Sequence, residues 1–190
     1  MIDRRKRTIL LGALTGALAA CASAGTTYKD KGMDFASVRT VAVMPFVNLS
    51  RDNLGADRVR DVFANSLLAT EAVYVVPTGE VARAAGRVGI ANLAAPTNEE
   101  VVKLGQQLKA EAVITGVVKE YGEARSGTAV GNLVSVSVQM QEASTGKVIW
   151  SASSTKGGVN FGDRLLGGGG QPLNYVTEDA VNELLDKLFR

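Results

Sequence analysis

Residues 133–155 read LVSVSVQMQEASTGKVIWSASST. Val134, Val136, Val138 and Met140 fall on one side of a period-two pattern, and Ser135, Ser137, Gln139 and Gln141 on the other. Strict alternation is the mark of a half-buried strand, because successive side chains point to opposite faces. Ser144-Thr145-Gly146-Lys147 then supplies a hairpin turn. Past the turn, Val148, Trp150 and Ala152 alternate with Ile149, Ser151 and Ser153, giving a second strand. Such a hairpin has one apolar face to cover. After Pro172, Val176, Ala180, Leu184, Leu185 and Leu188 recur at helical spacing and form a matching apolar stripe.

Working towards the amino terminus, residues 110–121 (AEAVITGVVKEY) read as a strand that is buried at first and half-exposed later. Thr97-Asn98-Glu99-Glu100 has the form of a capping box, and the helix it opens turns Val101, Leu104 and Leu108 inward. A short helix is expected over 78–88, ending near Gly89. Residues 72–76 (AVYVV) and 39–45 (RTVAVMP) are short β-branched runs, each closed by proline and each read as a buried strand. Between them, Val59, Val62, Phe63, Ser66 and Leu67 share one face of an amphipathic helix over 54–70, with Asp52 or Asn53 as its cap. The order β-α-β-α-α-β-β-β-α points to an α/β (α+β) domain built on a single mixed sheet with helices packed on it.

Composition narrows the functional classes. Of 190 residues, 46% are apolar and 21% charged, which suits a chain able to bury a core. No histidine is present and only one cysteine, so an internal disulfide, His-based metal sites and Ser-His-Asp or Cys-His catalysis are all excluded. Glu99-Glu100 and Glu178-Asp179 are adjacent carboxylates, yet each pair falls in the first turns of an expected helix, where negative charge is stabilised by the dipole. Glycines 167–170 lack the Gly-Lys-Ser/Thr ending of a phosphate cradle, and 157–170 reads as a loop. Trp150 and Met140 are expected in the core. No catalytic residue, metal, cofactor or small-molecule substrate is expected.

The leader carries a second message. Arg4, Arg5, Lys6 and Arg7 precede a 13-residue apolar run over 8–20, the pattern of a secretory signal and too short to span a bilayer. Leu18-Ala19-Ala20-Cys21 resembles the lipobox of bacterial lipoproteins. That resemblance implies cleavage before Cys21 and acylation of its thiol and amine. Ala22-Ser23-Ala24 offers an ordinary cleavage site as the alternative. Ala22, in place of an aspartate, implies outer-membrane sorting in a Gram-negative host. Removing 1–20 leaves 17 basic and 18 acidic residues, so the excess of positive charge belongs to the leader and a nucleic-acid partner gets no support. Residues 21–37 read as a lipidated cysteine and flexible tether, and 38–190 as the folded domain.

Residues 40–46 (TVAVMPF), 111–121 (EAVITGVVKEY) and 134–150 (VSVSVQMQEASTGKVIW) resemble segments of the superfamily of the curli-secretion lipoprotein CsgG. That superfamily also takes in the synthase activator LpoB and the amino-terminal domain of TolB. The nearest resemblance is to bacterial surface lipoproteins without assigned activity, a neisserial member among them. It implies a non-enzymatic outer-membrane lipoprotein, with its domain in the periplasm or at the cell surface, held by a lipid anchor and acting through an envelope protein partner or self-association. A subunit of a CsgG-like secretion complex and an LpoB-like activator of a peptidoglycan synthase are the alternatives. Phe161, Leu165 and Leu166, apolar residues inside the glycine-rich loop, are the candidate partner-binding residues.

Overall fold

The alternating stretch lies at the centre of a seven-stranded mixed sheet. The structure, a computed structural model, describes residues 26–93, 95–127, 129–158 and 170–190. In chain order the elements are β1 (Thr27–Lys29), β2 (Thr40–Val43), β3 (Val47–Asn48), α1 (Gly55–Ala69), β4 (Tyr74–Val75), α2 (Thr78–Val88), α3 (Asn98–Leu108), β5 (Ala112–Ser126), β6 (Ala129–Glu142), β7 (Val148–Gly157) and α4 (Leu173–Phe189). The strands are ordered β1-β7-β6-β5-β2-β4, with β3 alongside β5. β2 is parallel to both β4 and β5, and β3 is parallel to β5. The run β5-β6-β7-β1 is antiparallel. This is the single mixed sheet with packed helices that the pattern predicts.

The two ends of the sheet are covered differently, and the sequence shows why. In β2 and the residue that follows it, Val41 and Val43 face one way and Ala42 and Met44 the other, all fully buried. A strand buried on both faces reads as a continuous apolar run. Val41 and Val43 join Val59, Phe63 and Leu67 of α1, the apolar face of β6, and Val176, Ala180 and Leu184 of α4 in one core. Ala42, Met44 and Val113 join Val81 and Ala84 of α2 and Val101 and Leu104 of α3 in a second core on the opposite face. Helices α2 and α3 pack on β2 and β5. Beyond them Ser135, Ser137, Gln139, Ser151, Ser153 and Thr155 form an uncovered polar face, tied across strands by the Ser135–Thr155 hydroxyl pair at 2.9 Å.

Local chemistry sets the element ends. Thr97 Oγ1 accepts from the Glu100 amide at 3.2 Å while the Glu100 carboxylate accepts from the Thr97 amide at 2.7 Å, completing the capping box. Gly89 closes α2 in the left-handed conformation. Leu54 takes the cap position of α1, and Asp52 Oδ1 accepts its amide hydrogen at 2.8 Å. Gly116 has no room for a side chain, because a Cβ there would sit 2.7 Å from the Phe46 ring.

Four details differ from the sequence reading. The stretch expected as a flexible tether is docked from residue 27 onward. β1 pairs with Trp150–Ala152 of β7, the Lys29 ammonium donates to the Leu188 carbonyl at 2.9 Å, and Met33 and Phe35 pack on the core. Met33 and Phe35 are too few, in a run of small and polar residues, to register as a periodic pattern. The β5–β6 hairpin runs further than its alternation, to Ser126 and Ala129, because the ladder continues through Gly122 and Gly131 without needing apolar side chains. Gln141 is buried rather than exposed. The register shifts between Met140 and Gln141, leaving Ile149 as the extra residue of a bulge, and the Gln141 amide donates to the Gly146 carbonyl at 3.2 Å. β3, two residues long, carries no sequence signal of its own.

Candidate interaction surfaces

The residues singled out by sequence fall into three groups. Cys21, Phe161, Leu165 and Leu166 lie outside the described residues, as do glycines 167–169. The two carboxylate pairs sit apart, on helices α3 and α4. Glu99 belongs to the capped start of α3, where its own backbone amide and the Thr97 hydroxyl hold its carboxyl below the usual range. Glu178 and Asp179 are exposed on the second turn of α4, which begins at Leu173, further from the helix start than the dipole argument needs. Trp150 and Met140 are cross-strand partners in the core, and the Trp150 indole donates to the Lys187 carbonyl at 3.3 Å. Among the described residues no three His, Cys, Asp or Glu side chains cluster as metal ligands, and no helix is long and apolar enough to cross a membrane.

A charged cluster ties α4 to β7. Glu183 accepts from Lys156 Nζ and Ser154 Oγ, both at 2.9 Å, and from Lys187, which also donates to the Ser153 carbonyl at 2.9 Å. Burial alone raises the Glu183 carboxyl, but the hydrogen bonds from Lys187, Lys156 and Ser154 outweigh it and bring the pKa down to about 2. The same contact raises Lys156, against a smaller opposing effect of burial. Every member is engaged with its neighbours, so the cluster reads as a clamp. The Glu183–Lys187 spacing of four is legible in the sequence. Its partner on β7 is not, since only folding brings Lys156 within reach.

Two of the concave features among the described residues bear on binding. One lies beyond the carboxyl ends of the parallel strands. The connection after β2 runs through α1 on one face, and that from β4 to β5 runs through α2 and α3 on the other, so the topology switches between the adjacent strands β2 and β4. Open α/β sheets bind ligands outside the carboxyl ends of their strands, at such a point. At this same end but on the β5 side of β2, β3 lies along β5, and the loop after it leaves a crevice of about 740 Å³ between Arg51, Asp52, Glu120, Tyr121, Glu123 and Arg125. Leu49 and Leu54 stand beside it, 67% and 54% exposed. Polar walls with two exposed leucines suit contact with a protein surface better than enclosure of a small molecule.

The other feature, of about 430 Å³, opens between the docked amino-terminal segment, the end of α1 and the end of α4. Phe35, Val73, Met140 and Leu188 line it, and its charged lining residues are Lys29 and Arg39. Lys29 Nζ stands 4.9 Å from the Phe35 ring centroid. The sequence hides this cavity because Phe35 reaches it from a three-residue 3₁₀ turn and Val73 from a bend.

Comparison with known proteins places the fold. A search of curated proteins found no match. Among solved structures, a PelC dodecamer from Paraburkholderia phytofirmans superposes with a TM-score of 0.57 at 19% identity, over 86% of this chain and 98% of that one. Lipoprotein GNA1162 from Neisseria meningitidis gives 0.54 at 23% identity, over 78% and 99%. Protein CT253 from Chlamydia trachomatis gives 0.52 at 15% identity, over 80% and 96%. At these identities the likeness is one of fold. A model of the peptidoglycan-synthase activator LpoB family matches residues 14–155, from within the leader to near the end of β7. With three-quarters of its length inside that match, the chain belongs to the family of the peptidoglycan-synthase activator LpoB.

Proposed function

We propose that this is a non-enzymatic, lipid-anchored outer-membrane protein that works by docking its α/β domain on another envelope protein. The observation that carries this reading is the family match over residues 14–155, which takes in the lipobox-like Cys21 and nearly the whole sheet together. The docking face is the switch-point end, where Leu49, Leu54 and the outer part of the β5–β6 hairpin lie. Family membership favours a peptidoglycan synthase as the partner, with binding raising the activity of that enzyme.

Reach constrains how such a partner is met. With residues 27–37 docked, only 22–26 separate Cys21 from the domain, a span of at most about 18 Å. A domain of this size has a radius of gyration of about 15 Å. Its far side therefore stands on the order of 50 Å from the lipid surface. A synthase anchored in the inner membrane must extend a domain of its own towards this protein.

The secretion-subunit reading fares less well at the β5–β6 hairpin. Past the last core pair, Tyr121 and Val134, each strand has only five residues left, 122–126 and 129–133. A membrane-crossing strand takes about 9–11, and Glu123 and Arg125 are exposed on this short extension.

The test is glycan polymerisation by a purified synthase with and without the lipoprotein. Acceleration that is lost on Leu49→Asp/Leu54→Asp supports the synthase reading. No acceleration, with no adduct to any envelope protein after crosslinking of intact cells, overturns the docking reading as a whole.

A further inference from the structure

We infer that the cavity between the docked amino-terminal segment and the end of α4 holds an acyl chain of an anionic phospholipid from the membrane that anchors the protein. Three observations converge on that occupant. The interior is apolar, lined by Phe35, Val73, Met140 and Leu188, and at about 430 Å³ it falls within the range of sites that enclose small ligands. Its two charged lining residues, Lys29 and Arg39, are both cations, and no carboxylate lines it. Among the described residues neither cation is ion-paired. An apolar slot with cations and no anion matches an acyl chain whose head group is negative, and opposes a cationic or free polar ligand.

The third observation is position. Lys29 lies eight residues after Cys21, so the rim of the cavity stands at most about 28 Å along the chain from the anchor. Lipid is thus the most concentrated hydrophobic ligand the cavity meets, and each cation near an anionic surface strengthens the contact. Held this way, the domain would have a fixed orientation on the membrane. The cavity end faces lipid, and the switch-point end, at the opposite ends of β2 and β5, faces away towards a partner. The inference rests on the anchored reading for its proximity to lipid.

Trp150 is the only tryptophan of the chain and the cross-strand partner of Met140, which lines the cavity. Its fluorescence therefore reports on the occupant. The full-length processed protein, mixed with excess vesicles, should be quenched by brominated phosphatidylglycerol in a phosphatidylcholine bilayer more strongly than by brominated phosphatidylcholine at equal bromine content. Lys29→Gln and Arg39→Gln should each weaken the phosphatidylglycerol effect about fivefold. Ala72→Phe, at an exposed position on the rim, should fill the slot and abolish quenching while leaving the unfolding midpoint unchanged. Equal quenching by the two lipids, no quenching by either, or full quenching of Ala72→Phe overturns the proposal. Quenching by free brominated fatty acid without quenching by vesicles overturns the membrane as source. Failure of the anchor shows separately, as protein left in the supernatant when vesicles lacking anionic lipid are sedimented.

Discussion

Replacing Glu183 by Gln should destabilise the domain by about 3 kcal/mol at pH 7. The figure follows from the clamp between α4 and β7. The carboxyl falls from an ordinary 4.5 to about 2 on folding, and each unit corresponds to 1.36 kcal/mol of differential interaction. Its side chain is 28% exposed, so solvent screens only part of this. Glutamine keeps the volume but leaves the Lys156 and Lys187 ammonium groups facing each other without an anion. The sign of the pH effect follows from linkage. A carboxyl depressed in the folded state contributes stability that is fully present above about pH 4.5 and is lost as pH falls towards 2. The parent should therefore lose stability across that window, and Glu183→Gln should lack this part of the slope. Urea unfolding followed by Trp150 fluorescence, repeated from pH 7 to pH 2, measures both quantities. In thermal unfolding the same loss is on the order of 6–12 °C for a domain of this size. A variant within about 0.5 kcal/mol of the parent at pH 7, with a parallel pH profile, would refute the clamp.

Other perturbations test separate parts of the structure. Thr97→Ala removes one half of the capping box of α3 and should cost about 1 kcal/mol, read from the urea midpoint. Gly146→Ala should cost more, about 2 kcal/mol or above, because Gly146 has φ +73° and a Cβ there would lie 2.5 Å from Asn98 Cα in the neighbouring helix. Gly146→Asn, which tolerates positive φ but not the contact, separates the two causes. Cys21→Ser should move the protein out of the membrane fraction or leave its leader uncleaved. Unchanged processing and sedimentation of that variant would remove the lipid anchor from the account.

The hairpin and its covering helix were legible because apolar spacing alone determines them. Val134 to Met140 and Val176 to Leu188 are buried as the periodicity requires. Thr97 to Glu100 was legible for a different reason, since a capping box is a local interaction between residues three apart. Features made by distant pairing were not. β1 holds its place through β7, more than a hundred residues away, and through a Lys29 contact with the end of α4. β3 exists because Phe46 lies over Gly116 and brings Val47 beside Val117. The bulge at Ile149 brings Ile149 into the same core as Trp150, two residues that alternation places on opposite faces, and nothing in the alternation marks where a register will slip. Candidate sites followed the same rule. Core assignments of Trp150 and Met140 came from alternation, whereas the clamp at Glu183, the slot beside Lys29 and the crevice between Arg51 and Arg125 are assembled from segments remote in sequence.

The central claim, that the switch-point end docks on an envelope protein, is tested most directly by photocrosslinking in intact cells. A crosslinking residue placed at Leu54 should yield one discrete adduct with an envelope protein, a peptidoglycan synthase on the finer reading. The same residue at Ser153, on the uncovered polar face, should yield none. Equal adduct patterns from both positions, or none from Leu54 in cells where the protein sediments with the membrane, would contradict the claim.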